Sequence, residues 1–178
     1  AVLSALRSSM RANSVLRGQV LSLTGDEYGS SLGGVTFHER PHVAASDVIL
    51  PSGTLTRIER HAILLGEHRG SMLAAGQHLK RGILLFGPPG TGKTHTVRHL
   101  LSRSPHATAI LLSGNSLGLI REATQLARAM EPSIVVMEDC DLVAEDRDMI
   151  DSPDSMLFEL LEALEALVGF KTLVLSEP

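Results

Sequence analysis

The chain has 178 residues, of which 43% are hydrophobic and 20% are charged, a composition typical of a globular protein with a substantial core. Its formal net charge of -4 excludes a global basic field and does not favour generic binding to nucleic-acid phosphates. The single cysteine, Cys140, cannot form an internal disulfide, and no apolar stretch approaches the roughly 20 residues that span a bilayer. These features predict a cytoplasmic protein. Because the chain begins with Ala1 and ends directly after an apolar run, we expect it to be a fragment.

Residues 1–45 form an N-terminal region whose pattern leaves its fold open, with a small β-rich module as one interpretation. A short strand is predicted at residues 20–23, and the Gly- and Ser-rich stretch 24–34 predicts a turn or loop. Further strands are predicted at 35–37 and, just beyond this region, at 48–50. We find no candidate chemistry here.

From residue 46 onward the chain alternates between helical and strand-like patterns. Apolar spacing predicts a helix over 54–78, interrupted near Gly66 or Gly70. Strands are then predicted at 83–86, 108–113, 134–137 and 172–175, and helices at 93–103, 116–130 and 155–167. Short apolar runs separated by helices predict an α/β fold with a parallel sheet flanked by helices on both faces.

A glycine-rich loop lies between the first of these strands and its helix. Gly87, followed after four residues by Gly92-Lys93-Thr94, matches the pattern of a phosphate-binding loop in the expected strand-to-helix context. Glycines let backbone N–H groups turn toward phosphates, and Lys93 is expected to reach the β and γ oxygens. Thr94 is expected to ligate Mg²⁺ through its hydroxyl. The predicted nucleotide-binding residues are Gly87, Pro88, Pro89, Gly90, Thr91, Gly92, Lys93, Thr94 and His95.

Two carboxylates end the third predicted strand of this alternation. The apolar run 134–137 is followed by Glu138 and Asp139, the arrangement that phosphoryl-transfer enzymes use to hold Mg²⁺ and polarise water. The strand order is expected to bring this pair beside Lys93. The alternative is a strand that simply ends in two solvated carboxylates.

Together these residues resemble the AAA family of the AAA+ ATPases, over roughly residues 46–176. The sequence GPPGTGKT is the usual phosphate loop of that family, its Walker A motif, and EDCDLVAEDR, from Glu138, is similar to its Walker B segment. That segment is usually written D-E-x-D with a downstream arginine, so the first two acids are exchanged here. The resemblance implies that Glu138 organises Mg²⁺ with Thr94, and that Asp139, or else Glu138, activates the attacking water. Lys93 completes the expected catalytic set.

The resemblance also implies the activity of a complete protein. The expected function is Mg-ATP binding and ATP hydrolysis that drives remodelling of a protein, in a hexameric homo-oligomeric ring. Residues 46–178 are expected to form part of the large ATPase subdomain, without its lid, sensor residue and arginine fingers. Because Asp139 is one methylene shorter than the usual glutamate, hydrolysis is expected to be slow.

Relatives place a substrate-gripping loop after the second strand of this fold. Here the segment 114–120 reads GNSLGLI and lacks the typical aromatic residue. Leu117 or Leu119 either grips a substrate by apolar contact at a central pore or packs in the core, and the sequence leaves both interpretations open.

Three alternatives compete with the ATPase interpretation. A non-catalytic nucleotide switch or assembly module is favoured by the exchanged acids, whereas a small-acceptor kinase lacks an evident acceptor pocket and basic lid. His95 and His99 have metal-ligand spacing, but the stretch lacks the glutamate of a zinc-protease helix, so we do not interpret it as a metal site.

Overall fold

The computed structural model of the protein describes residues 14–25, 32–64, 68–76, 81–138 and 171–176. Its helices and strands are β1 (Val20–Gly25), β2 (Leu32–His38), α1 (Thr54–Glu59), α2 (Arg69–Ala74), β3 (Arg81–Phe86), α3 (Lys93–Ser102), β4 (Thr108–Ser113), α4 (Ile120–Ala129), β5 (Ser133–Glu138) and β6 (Lys171–Ser176). Shorter helical turns are two 3₁₀ segments at Ala45–Asp47 and Gly114–Leu119 and a π-helical turn at Arg60–Leu64.

The six strands form one sheet in the order β2-β1-β4-β5-β6-β3. Strands β1, β4, β5, β6 and β3 are mutually parallel, and β2 pairs antiparallel with β1 at one edge. The first five residues of β5 are all buried, as expected for a central parallel strand that is covered on both faces. Because parallel strands end at the same edge, the loops after β3, β4 and β5 meet on one side of the sheet.

Two hydrophobic clusters cover the two faces of the sheet. Alternate residues of β4 and β5 point to opposite faces, as the period of a strand requires. The cluster on the α3 face consists of Val20, Ala62, Val97, Leu100, Leu101, Ala107, Ala109, Ile134 and Val136. The cluster on the α4 face consists of Leu23, Ile110, Leu112, Leu117, Leu119, Ile120, Ala123, Ala127, Val135 and Met137. The predicted fold class, a parallel sheet flanked by helices, is confirmed.

The N-terminal region differs from one sequence-based interpretation. Strand β1 pairs in parallel with β4 through Val20↔Ala109, Leu21↔Ile110 and Ser22↔Leu111, so β1 and β2 extend the main sheet. The interpretation of a small separate module is therefore wrong for these two strands. The sequence did not reveal this pairing because strand pairing is non-local, and the apolar pattern of β1 does not identify the strand it pairs with.

Two further element predictions are corrected, and one lies outside the described residues. Residues 48–50 do not form a strand. Of the helix expected over 54–78, the structure describes α1, the π-helical turn and α2. Gly70 lies within α2 rather than between helices, and Gly66 lies outside the described residues. The helix predicted at 155–167 lies outside the described residues. The strands predicted at 83–86, 108–113, 134–137 and 172–175 are present with similar bounds.

An arginine fastens the N-terminal hairpin to the end of α3. Arg40 donates through Nη1 to the carbonyls of Leu101 (2.9 Å) and Ser104 (3.2 Å). Through Nη2 it donates to the carbonyls of Gly18 (2.9 Å) and Ala107 (2.7 Å). Burial lowers the pKa of the Arg40 guanidinium, because desolvation disfavours the charged form. A cation at the C-terminal end of α3 also complements the helix dipole there.

Candidate nucleotide-binding site

The glycine-rich loop begins directly after β3 and depends on two residues with positive φ. Gly90 has a φ of 76° and Gly92 a φ of 87°, values in the left-handed region that L side chains rarely adopt. The Thr91 hydroxyl donates to the carbonyl of Pro88 at 2.9 Å and closes the turn. The loop conformation therefore explains why glycine is required at these two positions.

Helix α3 begins without a side-chain cap. Its N-cap residue is Gly92, which has no side chain to accept a hydrogen bond from the first turn. The first helical bond, from the Thr96 N–H to the Gly92 carbonyl, is 2.8 Å long, and the Thr96 hydroxyl donates to the same carbonyl at 2.9 Å. The first N–H groups of α3 therefore face the loop, where the positive end of the helix dipole favours an anion.

Lys93 folds back over the loop. Its Nζ donates to the carbonyl of Gly87 at 2.6 Å and to that of Pro88 at 3.1 Å. The side chain is half-buried, so its ammonium is held over the turn of the loop. Phosphate oxygens are stronger acceptors for an ammonium than neutral carbonyls, because the hydrogen bond is then charge-assisted at both ends.

The carboxylate side of the site lies at the same edge of the sheet. Glu138 is the last residue of β5, is half-buried and lies opposite Ser113 of β4. One strand, β6, separates β5 from β3, so the two strands are about 10 Å apart at two strand spacings. Asp139 lies outside the described residues. The structure thus places Glu138 and the loop on one edge, two strand positions apart.

The donor set fits a magnesium nucleotide. Thr94 lies exposed in the first turn of α3, and Glu138 ends β5, so a hydroxyl and a carboxylate lie at this edge of the sheet. Oxygen ligands of this kind suit Mg²⁺, which usually retains several waters and takes phosphate oxygens from its substrate. His95 is exposed beside Thr94.

The histidine pair of α3 does not form a metal site. His99 is only 1% exposed, and its two ring nitrogens contact the Val43 carbonyl and the Glu59 carboxylate, both at 2.9 Å. His95 is exposed and takes no part in these contacts. In the described part of the chain, no cluster of three or more histidine, cysteine or acidic residues could hold a metal ion. Although His95 and His99 are one helical turn apart, the first is exposed and the second is buried. The partners of His99 could not be predicted from the sequence.

The segment after β4 packs into the core. Leu117 is 2% exposed and Leu119 1% exposed, and both belong to the cluster on the α4 face. Of the two interpretations of this segment, core packing is confirmed and substrate gripping by these leucines is excluded in this conformation. An apolar side chain in a 3₁₀ segment looks the same in sequence whether it faces a pore or a core.

A cavity of about 410 Å³ lies beside α3, between that helix and the chain that follows β2. Leu101, Leu111 and Val20 line its apolar part, while Arg98 and His95 lie at its polar part. It is built partly from the N-terminal hairpin, which sequence reasoning did not connect with the phosphate loop.

A parallel α/β sheet with a Gly- and Lys-bearing loop between its edge strand and an uncapped helix defines the class of P-loop nucleotide-binding proteins. Residues 83–175 match the profile of the ATPase family associated with various cellular activities (AAA). The match covers just over half of the chain, and the protein belongs to this family.

Individual relatives support the same assignment. The chain is 28% identical over 156 residues to the 26S protease regulatory subunit 6A of Caenorhabditis elegans, covering 82% of this chain and 36% of that protein. It is 31% identical over 121 residues to the vacuolar protein sorting-associated protein 4B of Mus musculus, covering 63% and 27%. It is 35% identical over 99 residues to the cell division control protein 48 homolog B of Arabidopsis thaliana, covering 47% and 16%. The chain therefore spans little more than a third, or less, of the length of these relatives.

Within the described ranges, none of the helices is both long and apolar enough to cross a bilayer.

Proposed function

We propose that the chain binds Mg-ATP through the loop 87–94 and that, in the complete protein, it hydrolyses the β–γ phosphoanhydride bond. The observation that carries this proposal is the combination of an uncapped α3 with the Lys93 ammonium held over the Gly87 and Pro88 carbonyls. Both features place donors where the oxygens of a phosphate chain would accept them.

Each residue of the site has a proposed role. The N–H groups of the loop and of the first turn of α3 bind phosphate oxygens, and Lys93 exchanges its two carbonyl acceptors for them. Thr94 and Glu138 hold Mg²⁺, which when bound neutralises charge that develops on the phosphates. His95, exposed at the start of α3, contacts the nucleotide.

Water activation is assigned to the acid pair. We propose that Asp139 orients and deprotonates the attacking water and that Glu138, one residue earlier, mainly binds Mg²⁺. The exchanged order places a shorter carboxylate at the position of the base, so turnover is slow. A carboxylate displaced by about 1 Å can cost on the order of 100-fold in rate.

The process that ATP hydrolysis drives is proposed from the names of the relatives. Their names describe a protease regulatory subunit, a sorting factor and a cell-division protein, which favours remodelling of proteins rather than of nucleic acid. The proposed assembly is a hexameric homo-oligomeric ring in the cytoplasm. The acidic net charge of -4 agrees with a protein substrate more readily than with a nucleic acid.

The proposal is tested by the thermal midpoint of unfolding with and without Mg-ATP. Nucleotide at 100-fold its dissociation constant adds about 2.7 kcal/mol of stability, a rise of roughly 5–10 °C for a chain of this size. At the same nucleotide concentration the rise should be at most about half as large in Lys93→Ala, whose affinity is expected to be at least tenfold lower. A folded wild-type sample whose midpoint does not respond to Mg-ATP would contradict the proposal.

A second candidate, a non-catalytic nucleotide switch, is favoured by the exchange of Glu138 and Asp139 alone. Single-turnover measurements of ATP cleavage by the full-length protein separate the two functions. The variant with both acids restored to the usual order, Glu138→Asp combined with Asp139→Glu, is the matched comparison. Cleavage that is undetectable in the wild type but measurable in this double variant would favour the switch.

A further inference from the structure

His99 is a buried histidine in the middle of the helix that follows the phosphate loop. Its side chain is 1% exposed, and both ring nitrogens have partners. Nδ1 lies 2.9 Å from the carbonyl oxygen of Val43, and Nε2 lies 2.9 Å from Oε1 of Glu59, the last residue of α1. The ring thus joins three segments: α3, α1 and the extended chain around Val43.

Both partners of the ring accept hydrogen bonds and, with Glu59 ionised, neither can donate one. A neutral imidazole carries one N–H and one bare nitrogen, so it would present a lone pair to an acceptor at one of these two contacts. Both contacts are satisfied only if one further proton lies between His99 and Glu59. The pair is then an imidazolium with a carboxylate, or a neutral imidazole with a carboxylic acid.

Two features of Glu59 favour the arrangement with that proton on the ring, against the desolvation of a buried imidazolium. Glu59 is 27% exposed, and its Oε1 also lies 3.8 Å from Nε of Arg103, whose positive charge favours the ionised carboxylate. Two other cations on the segments around the pair, Arg40 and Lys93, are partly buried and donate to backbone carbonyls. The remaining charged or titratable side chains on these segments are solvent-exposed: Glu39, His42, Asp47, Arg57, Arg60, His61, His95 and Arg98.

We infer that His99 and Glu59 form an imidazolium–carboxylate pair that positions α3, and with it the phosphate loop, for nucleotide binding. The effect of the pair on nucleotide binding rests on the proposed function, whereas the existence of the ion pair does not. Glu59 and His99 are positioning residues, since neither lies in the loop.

The pair acts on the part of α3 that the sheet does not hold. Val97, Leu100 and Leu101 fix one side of the helix in the cluster on the sheet. The His99 contacts tie a different side to α1 and to the chain at Val43, where the Ser102 hydroxyl adds a bond of 3.0 Å. His99 lies six residues, about 9 Å, along the helix from Lys93, so a tilt allowed by its loss displaces the first turn.

The protonation of the ring is tested by ¹⁵N NMR of the His99 imidazole at neutral pH. The wild type should show two protonated nitrogens. In Glu59→Gln the side-chain amide can donate to Nε2, so the ring should become neutral, with a proton on Nδ1 alone and both hydrogen bonds kept. A wild-type ring with one bare nitrogen would overturn the ion pair.

The positioning role is tested by Mg-ATP affinity and by amide hydrogen exchange in the first turn of α3. Glu59→Ala leaves a buried nitrogen without its partner and should weaken Mg-ATP binding on the order of tenfold. Its amides at 96 and 97, which donate the first helical hydrogen bonds of α3, should exchange faster. Glu59→Gln should restore both properties, and Glu39→Ala, at an exposed glutamate, should change neither.

These outcomes separate the inference from the proposed function. If the wild type does not bind Mg-ATP, the proposed function fails, while the exchange rates still report whether the pair holds α3. Equal exchange rates and equal affinities in the wild type, Glu59→Ala and Glu59→Gln would overturn the positioning role.

Discussion

Two connections leave the same edge of the sheet, each running from a parallel strand into a helix, and they are built in opposite ways. After β4, the segment Gly114–Leu119 buries Leu117 and Leu119 in the core, and the Ser116 hydroxyl accepts a bond of 2.8 Å from the Ser113 N–H. After β3, the loop contributes no apolar side chain to either cluster, and Gly92 leaves the start of α3 uncapped.

The difference between the two connections shows how a loop that binds a ligand is supported by the rest of the fold. The connection after β4 is completed by the packing of Leu117 and Leu119 in the core and by the contacts between Ser113 and Ser116. The connection after β3 leaves its donors at the surface, and α3 is held in place from further along its length by Arg40 and His99. Outside the loop, α3 is thus held both by directional polar contacts and by the packing of Val97, Leu100 and Leu101.

The largest effect is expected where the connection after β4 packs into the core. Leu119→Ala should lower the free energy of unfolding by about 2–5 kcal/mol, because it removes a fully buried side chain. Leu84→Ala, at a leucine that is 62% exposed, is the matched control and should change it by less than about 1 kcal/mol. Denaturant titration of both variants decides: equal small losses would mean that Leu119 does not pack in the core.

The next effect is expected at the polar support of α3. Arg40→Ala should cost about 1.5–3 kcal/mol, because four carbonyls lose a charged donor. Arg40→Lys keeps the charge, but its single ammonium cannot reach the four acceptors in the same way, so it should recover only part of the loss. The free energy of unfolding measures both, and full stability in Arg40→Lys would show that charge alone matters.

A smaller effect is expected at the start of α3. Gly92→Ala places a Cβ where nothing lies within 4 Å, so its cost of about 1–2 kcal/mol comes from the φ of 87° rather than from a clash. Gly82→Ala, in β3 and also without a neighbour within 4 Å, should be neutral or slightly stabilising. Thermal unfolding of the two variants should therefore differ, and equal midpoints would argue against a left-handed conformation at Gly92.

The smallest effect is expected at the loop hydroxyl. Thr91→Val keeps the shape of the side chain but removes the bond to the Pro88 carbonyl, at a cost of about 0.5–1 kcal/mol, since the bond is exposed. Ser116→Ala should have a cost of similar size in the other connection. A loss above about 2 kcal/mol in Thr91→Val would mean that the loop depends on this bond far more than its exposure indicates.

The phosphate loop and the strands could be predicted from sequence because their signals are local. The buried run 108–113 has the bounds that its apolar residues predict, and the loop follows from glycine spacing in its strand-to-helix context. The pairing of β1 with β4 could not be predicted, since it joins residues about 90 positions apart. The same holds for Arg40 and Glu59, whose partners lie far along the chain.

Leu117 and Leu119 show a different limit. Their residue type allows either a pore or a core position, and only the arrangement of α4 against β4 and β5 decides between them. The roles of Glu138 and Asp139 stay predictions, because the strand places the first at the correct edge without defining its contacts to nucleotide.

The most direct test of the account is calorimetric titration of Mg-ATP into the wild type and into Lys93→Ala. We predict saturable binding at one site per chain in the wild type and at least tenfold weaker binding in the variant, because a charge-assisted contact to phosphate is lost. Equal affinities in the two proteins, with both shown to be folded, would contradict the assignment of the loop 87–94 as the nucleotide site.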